Sequence, residues 1–266
     1  MDTGKILARL RAQKPLIHHI TNQVTISECA NITLAAGGLP IMAHAVEEVE
    51  EMVAQAGALV LNLGTLTPTQ VEAMVLAGRR ANALKIPIVL DPVGAGATRL
   101  RSESAKHLLA ELHIDIIKGN AAEITMLAGG VAEIRGVESI SVSSSVSPLA
   151  AALARETGAV VAVTGVVDLV TDGTWLIEVH HGHPLMAAVV GTGCMTASVM
   201  ACFAAVEENH LLAAVAGLVA INVAAEEAAQ ETDAPATFKI KLFDKLHGLA
   251  PHSLTARQEI KKRVIG

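Results

Sequence analysis

Short, largely apolar runs alternate along this chain with segments of helical spacing, and that alternation constrains the fold more than any other feature. The apolar runs occupy residues 16–20, 39–42, 58–64, 86–92, 114–118 and 160–164. Helical spacing is read over residues 5–13, 22–37, 46–54, 68–84, 104–112, 149–156 and onward from 119. A strand that is apolar at every position has both faces buried, which happens when helices cover a parallel sheet on each side. Residues 168–180 read as a hairpin with Asp172-Gly173 at its turn, and the Ser/Val-rich stretch 139–147 as a loop with an adjoining strand end. The remaining third is helical, over 195–206, 211–230 and 238–249. No linker, composition shift or internal repeat interrupts this order, so one domain spanning 1–266 is expected.

Composition narrows the class of function. The apolar content of 52% fills a sizeable core, while the net charge of −6 and the lack of a basic block argue against nucleic acid as a partner. Cys29, Cys194 and Cys202 fall at irregular spacing and form neither a disulfide framework nor a CxxC pair, which points to a reducing, cytoplasmic setting. The first residues, MDTGKILARLRAQK, have no apolar core of a signal peptide. Residues 186–206 and 211–225 are apolar enough to raise a membrane reading. Aromatics total 2% and no Tyr is present, so no interfacial belt is available, and buried helices are the better reading.

Chemistry collects where the apolar runs stop. In open parallel sheets, ligands bind beyond the carboxyl ends of the strands. Those ends carry Asn62-Leu63-Gly64, Asp91-Pro92-Val93-Gly94, Lys118-Gly119-Asn120 with Glu123, and Thr164-Gly165. The stretch Val189-Val190-Gly191-Thr192-Gly193-Cys194-Met195 reads as extended chain, tight turn and helix start. Free N–H groups at such a start attract anions, and a thiol there, Cys194, is expected to have a lowered pKa. One Lys, two carboxylates, a Thr and a glycine anion hole match the needs of phosphoryl transfer: a cation for the phosphates, carboxylates for Mg²⁺ and donors on the transferring group. Each residue also has a plain structural reading, Asp91 as a turn cap, Glu123 as a first-turn residue, Lys118 and Thr164 as strand ends. There is no GxxxxGK[ST] and no GxGxxG. The pairs His18-His19 and His180-His181-Gly182-His183 lack ligand-spaced Cys or carboxylates and are expected to be solvated loop or edge histidines.

The sequence resembles the hydroxyethylthiazole kinases of thiamine salvage, within the ribokinase-like kinases. The resemblance runs through HITNQVT at 19–25, MAHA at 42–45 with Glu47-Glu48-Val49, ALVLNLGT at 58–65, VLDPVGAGAT at 89–98 and KGNAAEI at 118–124. It continues through Val163-Thr164-Gly165 with Asp168, Gly182-His183-Pro184-Leu185 and GTGCM at 191–195. It implies an α/β fold, the ribokinase-like three-layer α/β/α arrangement with a mostly parallel central sheet. It implies phosphorylation of the hydroxyl of 4-methyl-5-(2-hydroxyethyl)thiazole by ATP with Mg²⁺, in a homotrimer with sites between subunits and no membrane partner. By motif, Asn22, Val24, Met42 and Gly191 would line the alcohol's pocket. Lys118, Asn120, Thr164, Thr192 and Gly193 would hold ATP, Asp91 and Glu123 would organise Mg²⁺, and Cys194 would stand where most ribokinase-like enzymes have an Asp base.

Two departures from the family pattern are visible. Lys118 replaces the Arg usual before Gly-Asn, which keeps charge and loses the bidentate fork. The HHGH run carries more histidines than the family's single one. A loose transition state asks little of a base, so Cys194 is read either as a late proton acceptor or as a residue that only shapes the site. The competing readings are a related kinase for hydroxymethylpyrimidine or pyridoxal, an ATP-dependent hydro-lyase of the same fold, and a non-catalytic nucleotide-binding trimer.

Overall fold

The structure, a computed structural model, describes residues 2–130 and 143–265. Its first half is α1 (Thr3–Gln13), β1 (Leu16–Ile20), α2 (Ile26–Ala36), β2 (Leu39–Ile41), α3 (Val49–Val53), β3 (Ala58–Asn62), α4 (Pro68–Leu84), β4 (Ile88–Asp91), α5 (Arg99–Glu111) and β5 (Ile116–Asn120). There follow α6 (Ala121–Leu127), α7 (Ser143–Thr157), β6 (Val160–Thr164), β7 (Asp168–Thr171), β8 (Trp175–Val179), α8 (Thr192–Ala204), α9 (His210–Ala229), α10 (Pro235–Gly248), α11 (Pro251–Arg257) and β9 (Ile260–Val264).

Among the described residues, nine strands form one sheet in the order β2-β1-β3-β4-β5-β6-β7-β8-β9. The first six are parallel, and the last three extend the sheet antiparallel. The sheet is thus mostly parallel, as expected. Alternate side chains point to opposite faces of a strand, and the core divides accordingly. Ala58 and Val60 pack with α1, α2, α8, α9 and α10, whereas Leu59 and Leu61 pack with α3 to α7. Helices therefore sit on both faces, which gives the three layers.

α9 is long and apolar enough to cross a bilayer, but 83% of that stretch is buried inside the protein. Its neighbour α8 is buried at every position from Met195 to Ala204. Small side chains permit this closeness, and a Cβ on Gly217 of α9 would lie 2.9 Å from the Met200 backbone of α8. The strand β8, next to the edge strand β9, carries Trp175, which pairs with Val264 of β9 and has the Lys262 ammonium 3.7 Å above its ring.

Several expectations are corrected. The helix read over 22–37 starts only at Ile26, because Asn22 folds its side chain onto the backbone N–H groups of Val24 and Thr25. α5 begins at Arg99 rather than 104, with the Thr98 hydroxyl capping Arg101 N. Of the loop read over 139–147, residues 139–142 lie outside the described residues, and from Ser143 the chain is helical. The helix α11 and the strand β9 were not anticipated, since the Ile-Lys-Lys-Arg-Val sequence of β9 is a charged, exposed edge with no apolar run.

Candidate active site

The carboxyl ends of β1, β3, β4, β5 and β6 bring Asn22, Asn62, Asp91, Lys118–Asn120 and Thr164 to one edge of the sheet. Register does part of the work, since Asn62 pairs with Asp91 and Asn120 with Thr164. A chain of side-chain contacts crosses the strand ends. Asn22 Nδ2 donates to Asn62 Oδ1 at 2.9 Å and to Cys194 Sγ at 3.4 Å. Asn62 Nδ2 donates to Asp91 Oδ2 at 2.9 Å. Lys118 Nζ stands 3.5 Å from Asp91 Oδ1 as an ion pair, and Asp91 Oδ1 is buried without a hydrogen bond.

Above this row sits the start of α8. Gly191 adopts φ +92° there, a left-handed conformation that glycine enters without a Cβ penalty, and no side chain caps the helix. A Cβ on Gly191 would lie 2.5 Å from Thr25 Cγ2, and one on Gly193 would lie 3.0 Å from Lys118 Nζ. The uncapped first turn thus faces the Lys118 ammonium at close range. Thr192 anchors the turn by donating its hydroxyl to Met186 O at 2.9 Å. A cavity of about 520 Å³ opens from Thr192 and Gly193 toward Thr164, Gly165, Asp168, His181 and Asn222.

Glu123 has a clear local role. It closes a capping box with Asn120 at the start of α6, its Oε2 accepting from Asn120 N at 2.8 Å. Its Oε1 accepts from Gly94 N at 2.8 Å and so straps the loop after β4 to α6. Val24 and Met42 stand apart from the polar row. Val24 is 63% exposed, and Met42 follows the edge strand β2, on the far side of β1 from Asp91.

Charge in the row is interdependent. Burial holds Asp91 above the ordinary carboxylate range, with Lys118 pulling it down and Glu123 pushing it up. Burial opposes the Lys118 ammonium, but Asp91 and Glu123 outweigh it and hold the amine above its usual value. The Cys194 thiol is raised, first by burial and then by Asp91, against the opposing pull of Lys118. This reverses the sequence expectation. The helix start favours a thiolate, but desolvation and a neighbouring carboxylate disfavour it more.

The Hydroxyethylthiazole kinase family profile matches residues 7–252 of the chain. The chain belongs to this family. It is 52% identical over 259 residues to the hydroxyethylthiazole kinase of Thermoanaerobacter pseudethanolicus, covering 97% of this chain and 98% of that protein. The solved hydroxyethylthiazole kinase of Pyrococcus horikoshii superposes with a TM-score of 0.90 at 39% identity, covering 98% of each chain. A ribokinase-like superfamily protein of Enterococcus faecalis shares the fold at 11% identity, with a TM-score of 0.63 and coverage of 93% of this chain and 95% of that one. As a hydroxyethylthiazole kinase family member the chain is a kinase of the ribokinase-like fold.

Within this kinase fold, His183 is exposed as expected and His180 half-buried, while the other three histidines of these clusters depart from expectation. His18 and His19 are fully buried on β1, not solvated, and bond the carbonyls of Ala43 at 2.9 Å and Ile17 at 3.0 Å. His181 is also buried, held between Glu226 Oε1 at 3.0 Å and the backbone N–H of Glu259 at 2.8 Å. Asn62, Asp168 and Asn222 had been assigned no role from sequence. Asp168 is buried in the cavity wall, accepts from Gly165 N at 2.9 Å and Asn222 Nδ2 at 2.6 Å, and burial raises it to about 6 against those two bonds. The available signal for Asn222 was its position as the one polar residue in the run AGLVAINVAA. A buried amide in such a helix needs a partner.

Proposed function

We propose that this kinase transfers the γ-phosphoryl group of ATP to the primary hydroxyl of 4-methyl-5-(2-hydroxyethyl)thiazole, as the names of its relatives suggest. The observation that carries the reading is the uncapped start of α8 lying over the Asp91–Lys118 pair. Anions are held there by backbone N–H groups and an ammonium, and an attacking alcohol would enter from the Asn22 side. The free N–H groups of the Gly191–Gly193 turn would cradle the transferring phosphoryl group, and Lys118 would neutralise developing charge. Thr164 and Thr192 line the cavity along which the nucleotide would lie, and Asn120 would join them from the strand end paired with Thr164. Asn22, Val24, Met42 and Gly191 would receive the thiazole.

Among the described residues no group of three His, Cys, Asp or Glu side chains could hold a metal by itself. That fits Mg²⁺, which keeps waters and takes phosphate oxygens, using one or two carboxylates. The unbonded Oδ1 of Asp91 is a ready ligand atom, with Glu123 acting through water. Bound there, Mg²⁺ would supply charge neutralisation at the phosphates.

Cys194 lines the alcohol's approach through its contact with Asn22. A raised thiol is protonated near neutral pH, so Cys194 shapes the site while positioning supplies most of the acceleration. The homotrimer with sites between subunits rests on the family resemblance, and the exposed side chains of Val24, two residues from Asn22, and Val190, next to Gly191, are free to meet a neighbouring subunit. Three unpaired cysteines support a reducing, cytoplasmic setting in thiamine salvage, and residues 1–266 act as one domain.

The test is ATP consumption with the thiazole alcohol against hydroxymethylpyrimidine. Turnover of the thiazole is expected. Turnover of the pyrimidine alone would favour a sibling kinase. Nucleotide binding without turnover of either would favour a non-catalytic trimer.

A further inference from the structure

The orientation of two buried amides in the polar row is fixed by the backbone around them. Asn22 Oδ1 accepts from Val24 N and Thr25 N, both at 3.0 Å, and from the Thr25 hydroxyl at 3.1 Å. Its Nδ2 must therefore face the other way, toward Asn62 Oδ1 and Cys194 Sγ. Asn62 Oδ1 also accepts from Gly64 N at 2.9 Å, which a carbonyl oxygen can do and an amide nitrogen cannot. Its Nδ2 is thus committed to Asp91 Oδ2. The row has one polarity, Asn22 donating to Asn62 and Asn62 donating to Asp91.

The consequence falls on Asp91. One carboxylate oxygen is tied to Asn62, which fixes the plane of the group, and the other is left unbonded beside Lys118. The approach is close by construction, because a Cβ on Gly64 would lie 2.6 Å from Asn22 Cβ. Asn62 is itself 1% exposed, is not among the residues that line the cavity, and reaches the first turn of α8 only through the Cys194 side chain.

We propose that Asn62 is a positioning residue for phosphoryl transfer, aiming the free oxygen of Asp91 at Mg²⁺ and coupling it to Asn22 at the wall of the alcohol pocket. This rests on the functional reading above. Polar partners that orient a metal-binding carboxylate matter nearly as much as the ligand, and their loss costs about 10–100-fold in metal affinity or activity. A residue that merely filled space would be replaceable by an apolar one of similar volume.

The experiment compares Asn62→Leu with the wild type by calorimetric titration of Mg²⁺ into the full chain saturated with a non-hydrolysable ATP analogue, alongside steady-state kinetics. Mg²⁺ affinity is expected to fall about tenfold, kcat to fall in step, and the KM for ATP at saturating Mg²⁺ to stay within about twofold. Mg²⁺ affinity within about twofold of wild type in a folded variant would overturn the proposal. Should Asn62→Leu fail to fold, Asn62→Ala carries the same measurements. If the wild type does not phosphorylate the thiazole alcohol, the functional reading fails, while the Mg²⁺ titration still decides the role of Asn62.

Discussion

At the scale of single residues, the sharpest question concerns Cys194. Its sulfur accepts a hydrogen bond from Asn22 Nδ2 at 3.4 Å, and burial and Asp91 hold its thiol protonated. General bases contribute about 10²–10⁴-fold where they operate. Cys194→Ser, which keeps size and hydrogen bonding while losing thiolate chemistry, is therefore expected to retain kcat within about threefold. A drop of about 100-fold in a folded variant would restore the thiol as a proton acceptor. Glu123 has a structural part beside its proposed place near Mg²⁺. Both of its oxygens accept backbone N–H groups, so its first effect is to hold the loop after β4 against α6.

At the scale of elements, the start of α8 is the proposed cradle of the phosphoryl group. Gly191 meets two demands together, a φ of +92° and a van der Waals approach to Thr25 that leaves no room for a methyl group. Gly191→Ala is expected to displace the turn and lower kcat/KM by about 100-fold, since such misplacement near a reacting group has that order of effect. Wild-type kinetics from that variant would show that the turn does not cradle the phosphoryl group. The boundaries of β6 and α4 were legible in sequence because a uniform apolar run and a Pro start mark them, and β1 because Leu16, Ile17 and Ile20 frame its two histidines. The start of α5 was not, because its first turn Arg99-Leu100-Arg101 is exposed and has no apolar period. The cluster Asp91, Lys118, Glu123 and Gly191–Cys194 was legible as residues at strand ends. The link through Asn62 was not, because strand register decides which strand-end side chain faces which neighbour.

At the scale of the whole molecule, burial of ionisable groups on the sheet sets the response to pH. His19 is held neutral by burial down to about 4, whereas an unfolded histidine takes a proton near 6.5. The unfolded state binds the extra proton first, so stability present above pH 6.5 is lost as pH falls toward 4. The loss is on the order of 3 kcal/mol for this group. Asp168 acts with the opposite sign, its contribution being present at low pH and lost as pH rises through about 6. His19→Asn is expected to flatten the fall in melting temperature between pH 6.5 and 4, measured by thermal denaturation. Parallel curves for the two proteins would remove His19 from the acid limb.

The outer edge of the same sheet has a practical consequence. The sequence holds one Trp and no Tyr. Light emitted by the native chain on ultraviolet excitation therefore comes almost wholly from Trp175, at the junction of β8 and β9 beneath the Lys262 ammonium. That ring sits at the far end of β8 from Val179, about 13 Å from the strand end that leads to His181 in the cavity wall. Its emission reports whether the edge strand is attached, and the protein carries a local optical gauge of its own periphery with no label added.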